Sequence, residues 1–154
     1  MRTLARIVPV CLLLSLSLSG CGGDDPAGPA GLTINDLVGS WIATSDTHTN
    51  NANSSESLDL IAEGGEVRFT MLSGGNTRIW VTFGTFSDEF DSAVTLSGTT
   101  LTIDPVEAGR ETVVLEITLV GNVLTMTNAD AEFDFTQSGA TPVPTTEVLV
   151  FVPN

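Results

Sequence analysis

The sequence predicts an all-β protein, an antiparallel up-and-down meander of eight or nine strands that closes into a barrel. Two observations lead to this fold class. Apolar and polar residues alternate with period two over long stretches; Val67, Phe69 and Met71, for example, enclose Arg68 and Thr70, as is typical of half-buried strands. Glycine-rich turns of two to four residues separate these runs. Such turns predict tight hairpins and antiparallel neighbours, and a long meander protects its edges by closing.

The first predicted element is a short helical turn before the sheet. Thr33 and Asp36 have the spacing of a capping box, with aspartate in place of glutamate. The turn runs to Val38, where Gly39 breaks it, and Trp41 opens the first strand.

The strands that follow are read from the alternating runs and from the turns between them. The turns are 64–65, 73–76, 97–99 and 121–122. The predicted strands are 40–47, 56–62, 66–72, 77–86, 92–97, 100–104, 112–120, 123–129 and 146–152, with an extra strand considered at 131–136. Two connections are longer, a polar one at 46–55 and one at 128–145.

Two acidic clusters raise the question of a calcium site. One is the run 88–91, which we place in a turn, and the other comprises Asp130, Glu132 and Asp134 in the late connection. Oxygen-rich loops can hold Ca²⁺, but neither cluster has EF-hand spacing or the required glycine. The expectation is therefore two solvated loops and no metal.

The first twenty residues have the organisation of a bacterial export signal. Arg2 and Arg6 precede an apolar run at 7–18 that is too short to span a bilayer comfortably. Residues 18–21 read Leu-Ser-Gly-Cys and resemble the lipobox of bacterial lipoprotein precursors. The resemblance implies cleavage before Cys21 and acylation of that residue, and two or three acyl chains anchor a protein stably to a membrane. An ordinary secreted protein with a cysteine at the cleavage site is the alternative.

The chain is accordingly divided into three parts. Residues 1–20 are the signal peptide, residues 21–31 are the lipidated cysteine with a disordered tether, and residues 32–154 are the barrel domain. The tether is rich in glycine and proline and has no residues that could form a core. Gly22, rather than aspartate, follows the cysteine. By resemblance to enterobacterial sorting, this favours a cell-envelope lipoprotein at the outer membrane, on its periplasmic face or at the cell surface.

Charge and cysteine content exclude several functions. Without residues 1–20, three arginines face nineteen carboxylates, giving a net charge of −16, and the chain has no lysine. Such a chain repels phosphate backbones, so nucleic acid is excluded as a partner. Removal of Cys11 with the signal and acylation of Cys21 leave no thiol in the domain. A disulfide, a thiolate metal site and a cysteine nucleophile are therefore excluded.

Residues 37–41 read Leu-Val-Gly-Ser-Trp and resemble the Gly-x-Trp signature of lipocalins and of bacterial lipocalin-like lipoproteins. The resemblance extends over about residues 32–153 and implies a lipocalin-like barrel. It also implies structural roles for Gly39, which lets the backbone pass closely, and for Trp41, which plugs the closed end. This chain has no tyrosine and no arginine after Arg110, so the usual late arginine partner of the tryptophan is missing.

The inward positions of the strands are candidates for binding an apolar ligand, because aromatic and thioether groups suit an apolar cavity. The ligand would be small and apolar or lipid-like. The alternative is that these side chains simply fill the interior, as eight strands permit. The candidate residues are Phe69, Met71, Val81, Phe83, Leu115, Ile117 and Met126.

No motif predicts catalysis. His48 is the only histidine and falls in the polar 46–55 connection, where it lacks partners for a zinc site or a catalytic triad. Trp80 is predicted to point outward, either as an anchor for a partner or covered by the segment that carries Phe133 and Phe135. We predict a non-enzymatic lipoprotein without cofactor or metal that binds a ligand in its barrel. The alternative is a structural or protein-interaction module with a filled core and an unidentified partner; a β-sandwich is disfavoured by the short hairpins.

Overall fold

The computed structural model describes residues 31–137 and 139–154, so the predicted signal peptide, Cys21 and the tether to residue 30 lie outside the described residues. A 3-10 helix spans Ile34–Leu37, and nine strands follow. The strands are β1 (Gly39–Asn50), β2 (Ser57–Asp59), β3 (Glu66–Met71), β4 (Asn76–Phe83), β5 (Phe86–Ser97), β6 (Thr100–Pro105), β7 (Val113–Val120), β8 (Val123–Phe133) and β9 (Val143–Pro153).

The strands form one closed antiparallel barrel. Consecutive strands from β3 to β9 are neighbours, β1 pairs with β3, and a second pairing of β1 with β9 closes the ring. The short strand β2 lies outside this ring of eight and pairs only with the end of β1. The predicted antiparallel meander closed into a barrel is therefore confirmed, and it is consistent with a lipocalin-like barrel.

The two ends of the barrel differ. The end at which β1 begins carries the 3-10 helix and the hairpins 72–75, 98–99 and 121–122, and we call it the closed end. The opposite end, which we call the mouth, carries the longer segments 51–56, 60–65, 106–112 and 134–142 and the turn 84–85.

The closed end is built on Trp41 and the 3-10 helix that precedes it. Trp41 is buried, and its Nε1 donates a hydrogen bond of 2.9 Å to the carbonyl of Leu37. This bond satisfies the indole N–H with a backbone acceptor. The backbone of Gly39 has φ 137°, in a region that side chains disfavour. A Cβ there would have no atom within 4 Å, so its conformation, not close approach, requires glycine.

The helical turn at the N-terminus is confirmed, in 3-10 form. The Asp36 carboxylate accepts hydrogen bonds from the backbone N–H of Thr33 at 2.8 Å and from its hydroxyl at 2.7 Å. These bonds fix the predicted capping arrangement.

Several predicted strand limits were wrong, and local residues explain three of the differences. The strand at 56–62 stops at Asp59, whose carboxylate accepts the backbone N–H of Ile61 at 3.0 Å and starts a turn. The turn predicted at 88–91 lies instead at 84–85, where Gly84 has φ 57°, and the acidic run belongs to β5. The separate strand at 131–136 is the end of β8, after which Asp134 accepts backbone N–H groups and forms a turn.

The prediction of a polar connection at 46–55 was also wrong for the first half of that segment. β1 continues to Asn50, and a bulge at Thr44 lies between the pairs Ala43–Phe151 and Ser45–Val150. An extra residue in one strand reverses which later residues face inward. Trp41 and Ala43 face the interior before the bulge, and the buried Asp46 and His48 face it afterwards.

Candidate functional site

The barrel contains a cavity of about 520 Å³ that is lined from the mouth to Met71, the last residue of β3. Side chains from both ends of its lining show its extent: Met71 and Phe151 lie deep in the barrel, whereas Pro105, Arg110 and Glu111 lie at the mouth. The lining is mostly apolar. Ligand sites are typically apolar hollows of ~300–1,000 Å³ with a few polar groups, so the size and chemistry are suitable for a small molecule.

Five of the seven candidate ligand-binding residues line this cavity, and two do not. Ile117 is 1% exposed and packs in the hydrophobic core without lining the cavity. Phe83 ends β4 at the mouth, beside Gly65, and is outside the cavity lining. The residues that line the cavity are Phe69, Met71, Val81, Leu115 and Met126.

Aromatic rings form the floor of the cavity. The ring of Phe69 packs edge-on against Phe151 with centroids 5.1 Å apart, and on its other side it stacks with Trp41 at 6.0 Å. The Trp41 ring does not line the cavity itself and stacks on Phe69, its cross-strand partner. The interior therefore contains a hollow bordered by Phe69 and Phe151, which does not fit the alternative of a wholly filled core.

A cluster of three ionisable side chains interrupts the apolar wall. Asp46 and His48 are two residues apart on β1 and share its inward face, and Glu147 is the cross-strand partner of His48 on β9. His48 Nε2 lies 3.4 Å from Asp46 Oδ1 and 3.8 Å from Glu147 Oε1. We refer to these three residues as the polar trio.

The polar trio is removed from water. Asp46 is 3% exposed and His48 6% exposed, and the Glu147 side chain is 20% exposed. Neither Asp46 Oδ1 nor His48 Nδ1 has a hydrogen-bond partner among the described residues. Glu147 has one long contact, a 3.5 Å hydrogen bond that its Oε2 accepts from Asn128 Nδ2. Buried polar atoms without partners are uncommon in folded proteins and often mark functional positions.

Burial dominates the titration of the trio. It raises the pKa of Asp46 to about 7, with the charges of Glu147 and Asp59 adding to the effect. Burial likewise raises the pKa of Glu147 and lowers the pKa of His48. Each shift disfavours the charged form. The short His48–Asp46 distance is therefore not an ion pair in the metal-free protein, since its imidazole is neutral at pH 7.

Two phenylalanines from the late part of the chain complete this wall. The ring of Phe133 stacks on His48 with centroids 4.3 Å apart, and Phe135 packs edge-on against Phe133 at 5.2 Å. Phe133 faces inward because a second bulge, between Asn128 and Ala131 in β8, shifts its alternation. These rings hold the imidazole in place; they do not cover Trp80, as one sequence interpretation proposed.

An arginine lies across the mouth from the trio. Arg110 is in the segment after β6, which is four strands away from β1 in either direction around the ring. Its guanidinium makes two hydrogen bonds to Asp88, at 2.7 and 2.8 Å, and lies 4.3 Å from the Phe90 ring centroid. The hydrogen bonds from Arg110 lower the pKa of Asp88. The mouth therefore has carboxyl groups and an imidazole on one side and an ion pair on the other.

The acidic clusters considered for calcium are already engaged. Asp88 binds Arg110, and Asp91 accepts hydrogen bonds of 2.9 and 3.2 Å from Arg78. Asp134 accepts the backbone N–H groups of Gly139 and Ala140, each at 2.9 Å. At least one carboxylate of each cluster is therefore already held by other groups of the chain.

The outward orientation of Trp80 is as predicted. The side chain is 43% exposed on β4, opposite Arg68 of β3, whose Cζ lies 5.9 Å from the ring centroid. This cation–π contact covers one face of the indole and leaves the other accessible.

The polar trio was not predicted from the sequence, because His48 was assigned to a loop and its carboxylate partners were not identified. Simple alternation from Trp41 predicts that Ser45 and Thr47 face inward, and the bulge at Thr44 reverses this. The one signal available was the spacing of Asp46 and His48, which places both on the same face of any strand.

No protein-family model, no curated protein and no solved structure matches this chain. Its function is therefore inferred from the geometry of the cavity and from the sequence. Within residues 31–137 and 139–154, none of the helices has the length and apolar character needed to cross a membrane.

Proposed function

We propose that this protein is a cell-envelope lipoprotein whose barrel binds a small apolar or lipid-like ligand. The observation that carries the proposal is the mostly apolar cavity of about 520 Å³ above the Phe69–Phe151 floor. An apolar molecule that enters it gains ~25 cal/mol for each Å² of surface removed from water. The proposed role is binding without a catalytic step.

The polar groups at the mouth would orient the ligand. The apolar part of the molecule would lie on Phe69 and Phe151, and its polar end would point toward Glu147 or Arg110. A few polar groups on an otherwise apolar wall are the usual means of fixing orientation in such sites.

A fluorescent fatty acid, excited directly at its own fluorophore, tests the binding proposal. We expect saturable binding of one probe molecule per chain, with an emission shift that reports an apolar environment. Competition with unlabelled fatty acids, retinoids and sterols then ranks ligand classes. Absence of saturable binding to the purified full chain would contradict the proposal.

Two neighbouring residues of β7 provide a matched pair of variants for this assay. Val113 lines the cavity, whereas Val114 points outward and is 56% exposed. Val113→Trp fills the mouth and should weaken probe binding by at least tenfold, while Val114→Trp should bind like the wild type. Equal affinity in the two variants would mean that the probe binds outside the barrel.

We also propose that acyl chains on Cys21 hold the barrel at the outer membrane, on its periplasmic face or at the cell surface. The support is the lipobox-like sequence at 18–21 and the glycine-rich segment that follows. The wild type should partition into the detergent phase, and mass spectrometry of its N-terminal peptide should show a lipid-modified Cys21. Cys21→Ser should leave the protein in the aqueous phase. A wild type without acyl groups would refute anchoring but leave the binding proposal intact.

A further inference from the structure

The polar trio has the arrangement of three metal ligands. Two of its members lie at positions i and i+2 of β1, and the third lies directly across from His48 on β9. Their ligand atoms all lie within 4.8 Å of one another. Because the backbone pairing fixes this convergence, it does not depend on one flexible loop.

Two of the three distances are close to those of tetrahedral coordination. Zn–N and Zn–O bonds of ~2.0–2.1 Å place tetrahedral ligand atoms roughly 3.3–3.4 Å apart. His48 Nε2 is 3.4 Å from Asp46 Oδ1 and 3.8 Å from Glu147 Oε1. All three ligand atoms lie within 4.8 Å of one another, so binding one ion requires Glu147, the most exposed of the three, to move closer to its partners.

A cation would also give the buried carboxylate of Asp46 the partner that it lacks among the described protein atoms. Asp46 Oδ1 is buried within the trio and has no hydrogen-bond partner. The described arginines pair elsewhere, Arg68 with Glu66, Arg78 with Asp91 and Arg110 with Asp88, and the chain has no lysine. None of the described arginines therefore balances the two carboxylates in the apolar wall. Buried charges in proteins are normally paired or coordinate metals.

The donor set selects the class of metal. Ca²⁺ and Mg²⁺ prefer sites made only of oxygen ligands, whereas an imidazole with two carboxylates suits Zn²⁺ and similar first-row divalent ions. Three protein ligands leave one tetrahedral position free, as in zinc sites that bind a water or a substrate.

We propose that Asp46, His48 and Glu147 bind one divalent transition-metal ion of the Zn²⁺ class inside the barrel, with the free coordination position toward the cavity. The Phe133 ring, stacked on His48, fixes the imidazole plane. This site does not rest on the proposed carriage of an apolar ligand.

The single histidine makes the test specific. The full chain is purified without a polyhistidine tag, treated with EDTA and dialysed, and ZnCl₂ alone is then added while the imidazole ¹H–¹⁵N signals of His48 are followed. We expect one equivalent of Zn²⁺ to shift these signals and to give a stoichiometry of one by calorimetry. CaCl₂ at the same concentration should leave the signals unchanged. If one equivalent of Zn²⁺ does not move the ring signals, or if Ca²⁺ moves them equally, the proposal is wrong.

Variants separate this site from the many surface carboxylates. His48→Gln and Glu147→Gln should each weaken binding by at least roughly 10- to 100-fold, because even outer-shell changes cost that much at metal sites. Glu132→Gln, on the exposed part of β8, is the matched control and should bind like the wild type. Unchanged affinity in both trio variants would show that the metal binds elsewhere. Since no apolar ligand is added, failure here leaves the carriage proposal untouched.

Discussion

Replacing Asp46 by asparagine should stabilise the metal-free barrel at neutral and alkaline pH. Asp46 is 3% exposed, and burial, with the charges of Glu147 and Asp59, raises its pKa from 3.8 to about 7. The folded state therefore retains a proton that the unfolded chain releases above about pH 4. Asparagine has the shape of the protonated carboxyl group and never ionises, so it removes this effect.

The magnitude follows from proton linkage. Between pH 4 and 7 Asp46 is more protonated in the folded protein than in the unfolded chain, so its contribution to the free energy of unfolding falls as the pH rises. A shift of about three pKa units at ~1.36 kcal/mol per unit gives a loss of about 4 kcal/mol at pH 7 and above. The variant should match the wild type near pH 4 and exceed it by up to this amount at pH 8.

Urea denaturation in EDTA at pH 4, 6 and 8 measures the difference between the two proteins. Comparing the stability of the two proteins at each pH cancels the contribution of residues whose environment does not change. Glu147 and His48 are present in both proteins. Asp130→Asn, on an exposed carboxylate of β8, should follow the wild type at every pH. A difference between wild type and Asp46→Asn that does not vary with pH, or a wild type that is the more stable at pH 8, would refute this account of the buried carboxylate.

Two further predictions concern the turns and the mouth. Gly75→Ala at φ 86° places a Cβ against the carbonyl oxygen of Val94, so it should lower the free energy of unfolding by more than Gly121→Ala, which has open space at φ 60°. The second variant carries only the left-handed backbone cost of ~1–2 kcal/mol, and thermal or urea unfolding compares the two. Arg110→Gln removes the hydrogen bonds that lower the pKa of Asp88, so this pKa should rise toward its ordinary value; carboxyl ¹³C NMR titration measures it, and an unchanged value would contradict the role of the pair.

The sequence was sufficient for the fold class because the alternation of Val67, Phe69 and Met71 and the glycine hairpins are local signals. They establish antiparallel neighbours without knowledge of the closing pair. The pairing of β1 with β9 connects residues about a hundred positions apart in the chain, and no local pattern reports it. It was inferred from the need of a long meander to protect its edges.

The site was predicted only in part, and the reasons are geometric. Inward positions such as Phe69 and Met126 follow from alternation, but Ile117 has the same pattern and does not line the cavity, although it is the cross-strand partner of Met126. Which inward residues border a hollow depends on how neighbouring side chains pack, and alternation does not report this. The position of His48 depends on the bulge at Thr44, and no glycine or proline in the sequence marks that bulge.

The two tryptophans allow the most direct test of the central claim, that an apolar ligand enters the barrel and rests on its aromatic floor. Trp41 stacks on Phe69, which lines the cavity, whereas Trp80 is 43% exposed on the outer surface. A dibrominated fatty acid, whose bromine atoms quench tryptophan emission only at short range, is titrated into Trp80→Phe and Trp41→Phe. Saturable quenching of Trp41 emission in the first variant, with little effect on Trp80 in the second, is the predicted result. Quenching of Trp80 alone, or of neither, would contradict it.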